Sequence, residues 1–225
     1  MSELLDSKYY EVTRPTSLAE RLLIMARDRI YDELVRQMQP NAASRIIDVG
    51  VSDVVSDGAN VLERRYPHQF RITACGLGAG ADFKRSFPEI RYFQIRANRK
   101  LPFPDQSFDI AVSNAVLEHV GSLQNQYLFV REMSRVAKRV FITVPNRFFP
   151  IEHHTAIPML HYSDASFRLA CSLWGKSSWS NAENLILMSR ARLSKLTRGI
   201  DRNATIGYTG LRLGPFSSNM FLSMT

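Results

Sequence analysis

Cysteine is scarce in this chain. Two cysteines, Cys75 and Cys171, stand in 225 residues, too few for a disulfide framework. Cys75 lies in an apolar run and reads as a buried thiol of a reducing compartment. Long apolar runs are missing as well: none approaches the roughly 18 residues that a membrane span needs. The first residues, Met1, Ser2, Glu3, Leu4, Leu5 and Asp6, lack the basic-then-apolar order of a secretion signal. A cytoplasmic protein is the expectation. No internal repeat and no low-complexity arm is visible. Acid is in deficit: 21 Asp and Glu face 29 Lys and Arg, a net charge of +8. Such an excess attracts nucleic acid, an acidic surface or an anionic small molecule. The late basic cluster (Arg190, Arg192, Lys195, Arg198, Arg202) is most simply a solvated helix face, and no nucleic-acid-binding motif accompanies it.

What is present is ordinary globular composition, 45% hydrophobic and 22% charged, long enough for one domain with its own core. The chain reads as alternating strands and helices. A capping box at Ser17 and Glu20 opens a helix to about Gln39, stopped by Pro40, with Leu23, Ile30 and Leu34 on its inner stripe. Strands follow at 45–50, 72–77, 90–95, 108–112 and 139–144. Helices are expected at 59–65, 81–87, 122–137 and 184–197. Residues 146–182, rich in aromatics and histidine with Pro150 and Pro158, read as an irregular insertion. Two last strands, 205–213 and 219–224, are joined so closely that they must pair antiparallel. The expected fold class is therefore α/β, a doubly wound, mostly parallel, Rossmann-like sheet of seven strands with a C-terminal antiparallel pair. Residues 1–225 form a single domain, with 1–42 as a helical lead-in.

The most informative stretch is 101–120. A tight turn (Pro104, Asp105, Gln106, Ser107) feeds the apolar strand 108–112, which ends on Ser113 and Asn114 and runs at once into a helical segment carrying Glu118 and His119. In an open parallel sheet, ligands bind in the crevice outside the carboxyl ends of the strands. Polar residues at this strand end therefore address that crevice. The Leu101, Pro102, Phe103 segment with this strand and its Glu-His closely resembles the fourth strand and following loop of class I S-adenosylmethionine (SAM) dependent methyltransferases of the small-molecule branch. The resemblance runs from about residue 43 to the C-terminus. A second motif, Pro145, Asn146, Arg147, Phe148, Phe149, Pro150 leading into Glu152, His153, His154 and Thr155, resembles bacterial methyltransferases of surface-polysaccharide or other secondary pathways.

The resemblance implies SAM as cofactor, bound by the loop after strand one (Asp48, Gly50, Ser52), the end of strand two (Gly76, Leu77, Gly78), the segment before Leu101 (Ala97, Asn98) and Asn114. Gly58 is expected to give the tight entry to the next helix. Three departures from the family pattern stand out, the first being Ser52 and a residue beyond it in place of the second and third glycines of the loop after strand one. No acid ends strand two to bind the ribose, and Ala97 replaces the acid expected near the adenine amine. Ribose hydroxyls left unpaired cost about 1–3 kcal/mol, roughly ten- to hundredfold in affinity. Asp53 and Asp82 are the nearest compensating acids.

His119, His153 and His154 are the candidate catalytic residues, since an imidazole neutral near pH 7 can take a proton from a hydroxyl. Glu118 is expected to point outward or to cap the following turn, and Phe148, Phe149 and Tyr162 to pack a lid. Glu152, His154 and His161 form an alternative metal set. Adjacent histidines lack the i,i+4 spacing of a helical zinc site, and no metal is expected. The resulting expectation is methylation, at oxygen, of a small acceptor such as a sugar or glycolipid. Two alternatives remain open: a non-catalytic scaffold with a degenerate SAM site, and an RNA methyltransferase. The latter would carry an Asn/Asp-Pro-Pro-aromatic signature after strand four, which is absent. Nucleic acid is not the expected partner, and oligomeric state is not legible.

Overall fold

The computed structural model describes residues 18–53 and 59–225, the side chains of residues 18–20 excepted. The expected lead-in at 1–16, the capping box at Ser17 and Glu20, and the Gly58 turn lie outside the described residues. Helix α1 (Leu18–Met38) precedes β1 (Ile46–Val49), α2 (Val61–Arg65), β2 (Ile72–Gly76), α3 (Ala81–Ser86) and β3 (Arg91–Gln94). Then come β4 (Phe108–Asn114), α4 (Leu123–Val136), β5 (Ala137–Pro145), α5 (Asp164–Leu173), α6 (Arg190–Leu196), β6 (Ala204–Leu213) and β7 (Phe216–Met224).

One sheet holds all seven strands in the order β3-β2-β1-β4-β5-β7-β6. β1 to β5 run parallel, and β7 pairs antiparallel with both β5 and β6. The chain reverses between β1 and β4, so the crevice of an open α/β sheet opens above their carboxyl ends.

Strand periodicity sets which side chain goes where. Ile47 and Val49 of β1, Val140, Ile142 and Val144 of β5, and Met220, Leu222 and Met224 of β7 join the core under α4 and α6. The alternate residues Ile46, Ile110, Phe141 and Phe221 join Ile30, Tyr31, Leu34 and Met38 of α1 in the opposite layer. Each face is apolar at period two because helices cover both. No helix of the described residues is long and apolar enough to cross a membrane.

Alternation also turns Asp48 away from Ile47 and Val49, into the layer with α2. There it meets Glu63, which is fully buried with neither carboxylate oxygen hydrogen-bonded among the described residues. Burial lifts the Glu63 carboxyl from 4.5 to about 7, and burial together with Glu63 lifts Asp48 in the same direction. A carboxyl whose folded pKa is raised contributes its full stability at acid pH and loses it as pH climbs through the folded value. Stability should therefore fall between about pH 4.5 and 7 on account of this group. Glu63→Gln should flatten that fall. Thermal midpoints of both proteins across pH test it, and a wild-type minus variant difference that does not change with pH refutes it.

Three expectations need correction. The insertion 146–182 is not wholly irregular: it contains α5, whose Phe167, Ala170 and Cys171 bury one stripe against Ile157, Trp179 and Leu185. The last helix is shorter than 184–197, because residues before Arg190 are extended. There the Ile186 amide donates to Glu118 O (2.8 Å), and Met188 O accepts from the Arg147 amide (2.9 Å). Those backbone bonds stitch the segment to the loops over the crevice. Finally, Leu117–His119 is a single 3-10 turn rather than the start of a helix. α4 begins only after Gly121, with Ser122 Oγ accepting from the Asn125 amide.

Candidate cofactor and acceptor site

Above the carboxyl ends of β1, β2 and β4 lies a cavity of about 890 Å³. Gly50, Val51, Gly76 and Leu77 form one wall, residues 95–101 a second, and Val116, His119, Asn125 and Glu183 a third. The first wall is made close by glycine. Gly50 has φ +104°, and a Cβ there would stand 2.2 Å from a methyl of Val116. A Cβ on Gly76 would stand 2.4 Å from the Tyr92 hydroxyl. These positions admit backbone where a side chain would intrude.

Of the residues expected to hold the cofactor, Gly50, Gly76, Leu77, Ala97 and Asn98 line this cavity. Asp48, Ser52 and Asn114 instead line a smaller recess on the other face of the sheet. Ser52 is clamped by Asn60, whose amide bonds both the Ser52 N–H (3.0 Å) and its carbonyl (2.9 Å). Asn114 Oδ1 accepts from the Thr143 hydroxyl. Gly78 is outside the cavity, its carbonyl taken by the Tyr92 hydroxyl (2.7 Å).

The two acids suggested as substitutes for a ribose carboxylate are otherwise engaged. Asp53 Oδ1 accepts from the Phe83 amide (2.9 Å), and Asp82 pairs with Arg85 (2.8 Å). The acids that do line the cavity are Asp105, Glu132 and Glu183, and sequence pattern did not single them out. Glu132 and Arg135, one helical turn apart on α4, grip the segment 101–105. Leu101 N donates to Glu132 Oε2 (2.6 Å), while Arg135 donates to the carbonyls of Leu101 (3.1 Å) and Phe103 (2.8 Å). Acid and base three residues apart on a helix (Glu132, Arg135) were the available signal.

The histidines separate into different environments. His119 walls the cavity, and its Nδ1 donates to Asn184 O (2.6 Å). His154 sits behind it, the two Nε2 atoms 3.1 Å apart. His154 Nδ1 donates to Glu152 Oε1 (3.0 Å). His153 is exposed overall and borders a shallow recess with Glu118 and Glu152. His161 Nε2 donates to Phe149 O (2.7 Å). The alternative metal set of Glu152, His154 and His161 is thus not assembled; among the described residues, the donor atoms that converge are those of Glu118, His119 and His154, all within 4.8 Å of one another.

Glu118, expected to face outward, is fully buried, and neither of its oxygens has a hydrogen-bond partner among the described residues. The reason is the 3-10 turn, which packs Leu117 into the core and swings Glu118 beneath the insertion. Burial lifts its carboxyl to about 7. Burial and the neighbouring His154 hold His119 at about 3, so its ring is neutral. Burial opposes ionisation of Glu152, but bonds from His154 and Thr155 outweigh it and hold the carboxyl at about 2.

Residues 68–140 match the family model of the methyltransferase domain. That stretch is similar to a methyltransferase domain, and the fold of the chain is that of the class I SAM-dependent methyltransferases. Solved structures agree on the fold across nearly the whole chain. A SAM-dependent methyltransferase from Aquifex aeolicus superposes with a TM-score of 0.59 at 11% identity, covering 100% of this chain and 97% of that one. The N-methyltransferase NodS of Bradyrhizobium japonicum, solved with S-adenosylhomocysteine (SAH), gives 0.57 at 12% identity, covering 99% and 95%. A possible histamine N-methyltransferase from Thermotoga maritima gives 0.58 at 15%, covering 92% and 91%. No curated protein matches the chain. At Gly50 and Gly76 the absence of a side chain lets the backbone of this wall pack directly against Val116 and Tyr92.

Proposed function

We propose that this methyltransferase acts at an oxygen of a small or carbohydrate-like acceptor. The observation that carries the reading is the single cavity running from the glycine wall at Gly50 and Gly76 to His119 and Glu183. Its size matches pockets that enclose small ligands, so cofactor and a compact acceptor share one enclosure. SAM supplies an already activated methyl group. The protein's task is then mainly alignment and exclusion of water.

Gly50, Val51, Gly76 and Leu77 take the end of the cavity assigned to the cofactor. Asn98, with φ +55° and a side-chain amide, stands where the family's acid is replaced. His119 shapes the acceptor end and does not serve as its base: Asn184 O takes the Nδ1 proton, and Nε2 faces His154. His153 and His154 do not line the cavity, and we assign them no proton transfer to the acceptor. Five basic side chains (Arg96, Arg99, Lys100, Arg131, Arg135) against three acids on the lining favour an acceptor that carries negative charge.

Calorimetric titration with SAH tests the reading. Saturable one-to-one binding is expected, and Ala97→Asp should tighten it by about tenfold through the restored adenine contact. No heat of binding at millimolar SAH overturns the reading. A variant that gains SAH affinity and turnover together also removes the alternative of a non-catalytic scaffold.

A further inference from the structure

We propose that Glu118, His119 and His154 form a binding site for one divalent transition-metal ion of the zinc type, built where the turn after β4 meets the insertion after β5. Proton positions lead to this site. Asn184 O is a carbonyl and only accepts, so His119 Nδ1 carries a hydrogen. Glu152 Oε2 accepts from the Thr155 hydroxyl and from the His154 and Thr155 amides, and its Oε1 accepts from His154 Nδ1, which carries one too. The two Nε2 atoms face each other across 3.1 Å, and with a Glu118 oxygen they converge within 4.8 Å, close enough for one cation to be held among the three.

The third donor favours the metal. Glu118 is 0% exposed, its Oε1 stands 4.0 Å from His119 Nε2, and neither of its oxygens has a hydrogen-bond partner among the described residues. A buried carboxylate without partners is costly unless a cation answers it. Tetrahedral zinc holds nitrogen at about 2.0–2.1 Å, which places two ligating nitrogens about 3.3 Å apart. The two imidazoles already stand near that separation. Two imidazoles and one carboxylate are a zinc-type donor set. The surroundings match as well: metal-bound histidines donate their other N–H to a carboxylate or a backbone carbonyl, here Glu152 and Asn184. Two carboxylates, Glu118 and Glu152, balance the charge of a divalent ion.

The site is independent of the proposed acceptor chemistry and is tested without SAM. Tag-free protein stripped with chelator is titrated with Co2+, followed by its visible absorption, then challenged with Zn2+. One equivalent should bind, with the intense bands of a four-coordinate ion that Zn2+ abolishes. Glu118→Gln and His154→Gln should each weaken Co2+ binding by about a hundredfold or more, and Glu152→Gln by about ten- to hundredfold. His68→Gln, remote from the cluster, should change nothing. Absence of a saturable one-equivalent transition overturns the proposal, as does an affinity that Glu118→Gln and His154→Gln leave at the wild-type value. If those variants do not fold, X-ray absorption of the wild-type Co2+ form decides: two imidazoles with oxygen support the site, and fewer imidazoles refute it. SAH titration of the same preparation reports separately on the methyltransferase reading.

Discussion

Gly50→Ala is expected to weaken SAH binding by at least about a hundredfold and to lower the melting temperature markedly. At φ +104° an alanine is strained, and its Cβ would lie 2.2 and 3.0 Å from the two γ-methyls of Val116. Val116 is β-branched and stiff about χ1, so relief must come from the turn at Ala115, itself at φ +55°. Backbone strain of about 1–3 kcal/mol and overpacking of about 1–3 kcal/mol add to roughly 2–6 kcal/mol. For a chain of this size that is about 2–4 °C per kcal/mol. Val116 is itself a wall of the cavity, so its displacement narrows the cofactor end directly. Gly175→Ala is the control: φ is +68° and nothing lies within 4 Å of the added Cβ, so it carries the backbone strain alone. Calorimetry and thermal unfolding of both variants check the prediction. Wild-type SAH affinity in Gly50→Ala would sink the assignment of this wall to the cofactor.

Arg135→Ala should cost about 2–4 kcal/mol of stability, since hydrogen bonds to charged groups contribute about 1.5–3 kcal/mol and this guanidinium makes several. It donates to Glu132 through Nε (2.6 Å) and Nη2 (2.8 Å), to the carbonyls of Leu101 and Phe103, and to Asp105 (2.7 Å). The side chains of Arg135 and Glu132 are 18% and 19% exposed, whereas Asp105 is 74% exposed. Most of the effect therefore lies in the Glu132 and carbonyl bonds, because a solvated pair contributes little. Without them the segment 97–101, one wall of the cavity, loses its attachment to α4. SAH affinity should drop about tenfold alongside stability. Arg135→Lys should recover only a minor share, because an ammonium cannot reproduce the fork that spans Glu132 and two carbonyls. Denaturant unfolding and calorimetry on Arg135→Ala, Arg135→Lys and Asp105→Asn separate these contributions. A loss in Asp105→Asn equal to that in Arg135→Ala would overturn the ranking.

The fold was legible where the pattern is local. Central strands buried on both faces show as apolar runs closed by Gly, Pro, Ser or Asn, and these together with the more exposed edge strands β3 and β6 were marked within a few residues of their ends. α5 escaped because its three-residue stripe is hidden among exposed apolar neighbours such as Leu169 (62%) and Leu173 (73%). The extended segment before α6 escaped because its partners, Glu118 O and the Arg147 amide, lie far away in sequence. Along the main cavity, the resemblance pointed to Gly50, Gly76 and the segment before Leu101, which line it, but not to Glu132 and Arg135, whose partners lie more than 30 residues away in sequence.

The amino-acid sequence by itself determined a parallel α/β sheet with a crevice above β1 and β4, because period-two burial and the glycines at strand ends are properties of short stretches. The tertiary structure alone decided which polar residues meet. Asp48 lines the smaller recess rather than the main cavity because one residue of strand alternation faces it toward Glu63. Glu118 and His154, 36 residues apart in number, came together because parallel strands deliver their following loops to the same edge of the sheet, where a 3-10 turn and an insertion are pressed against each other.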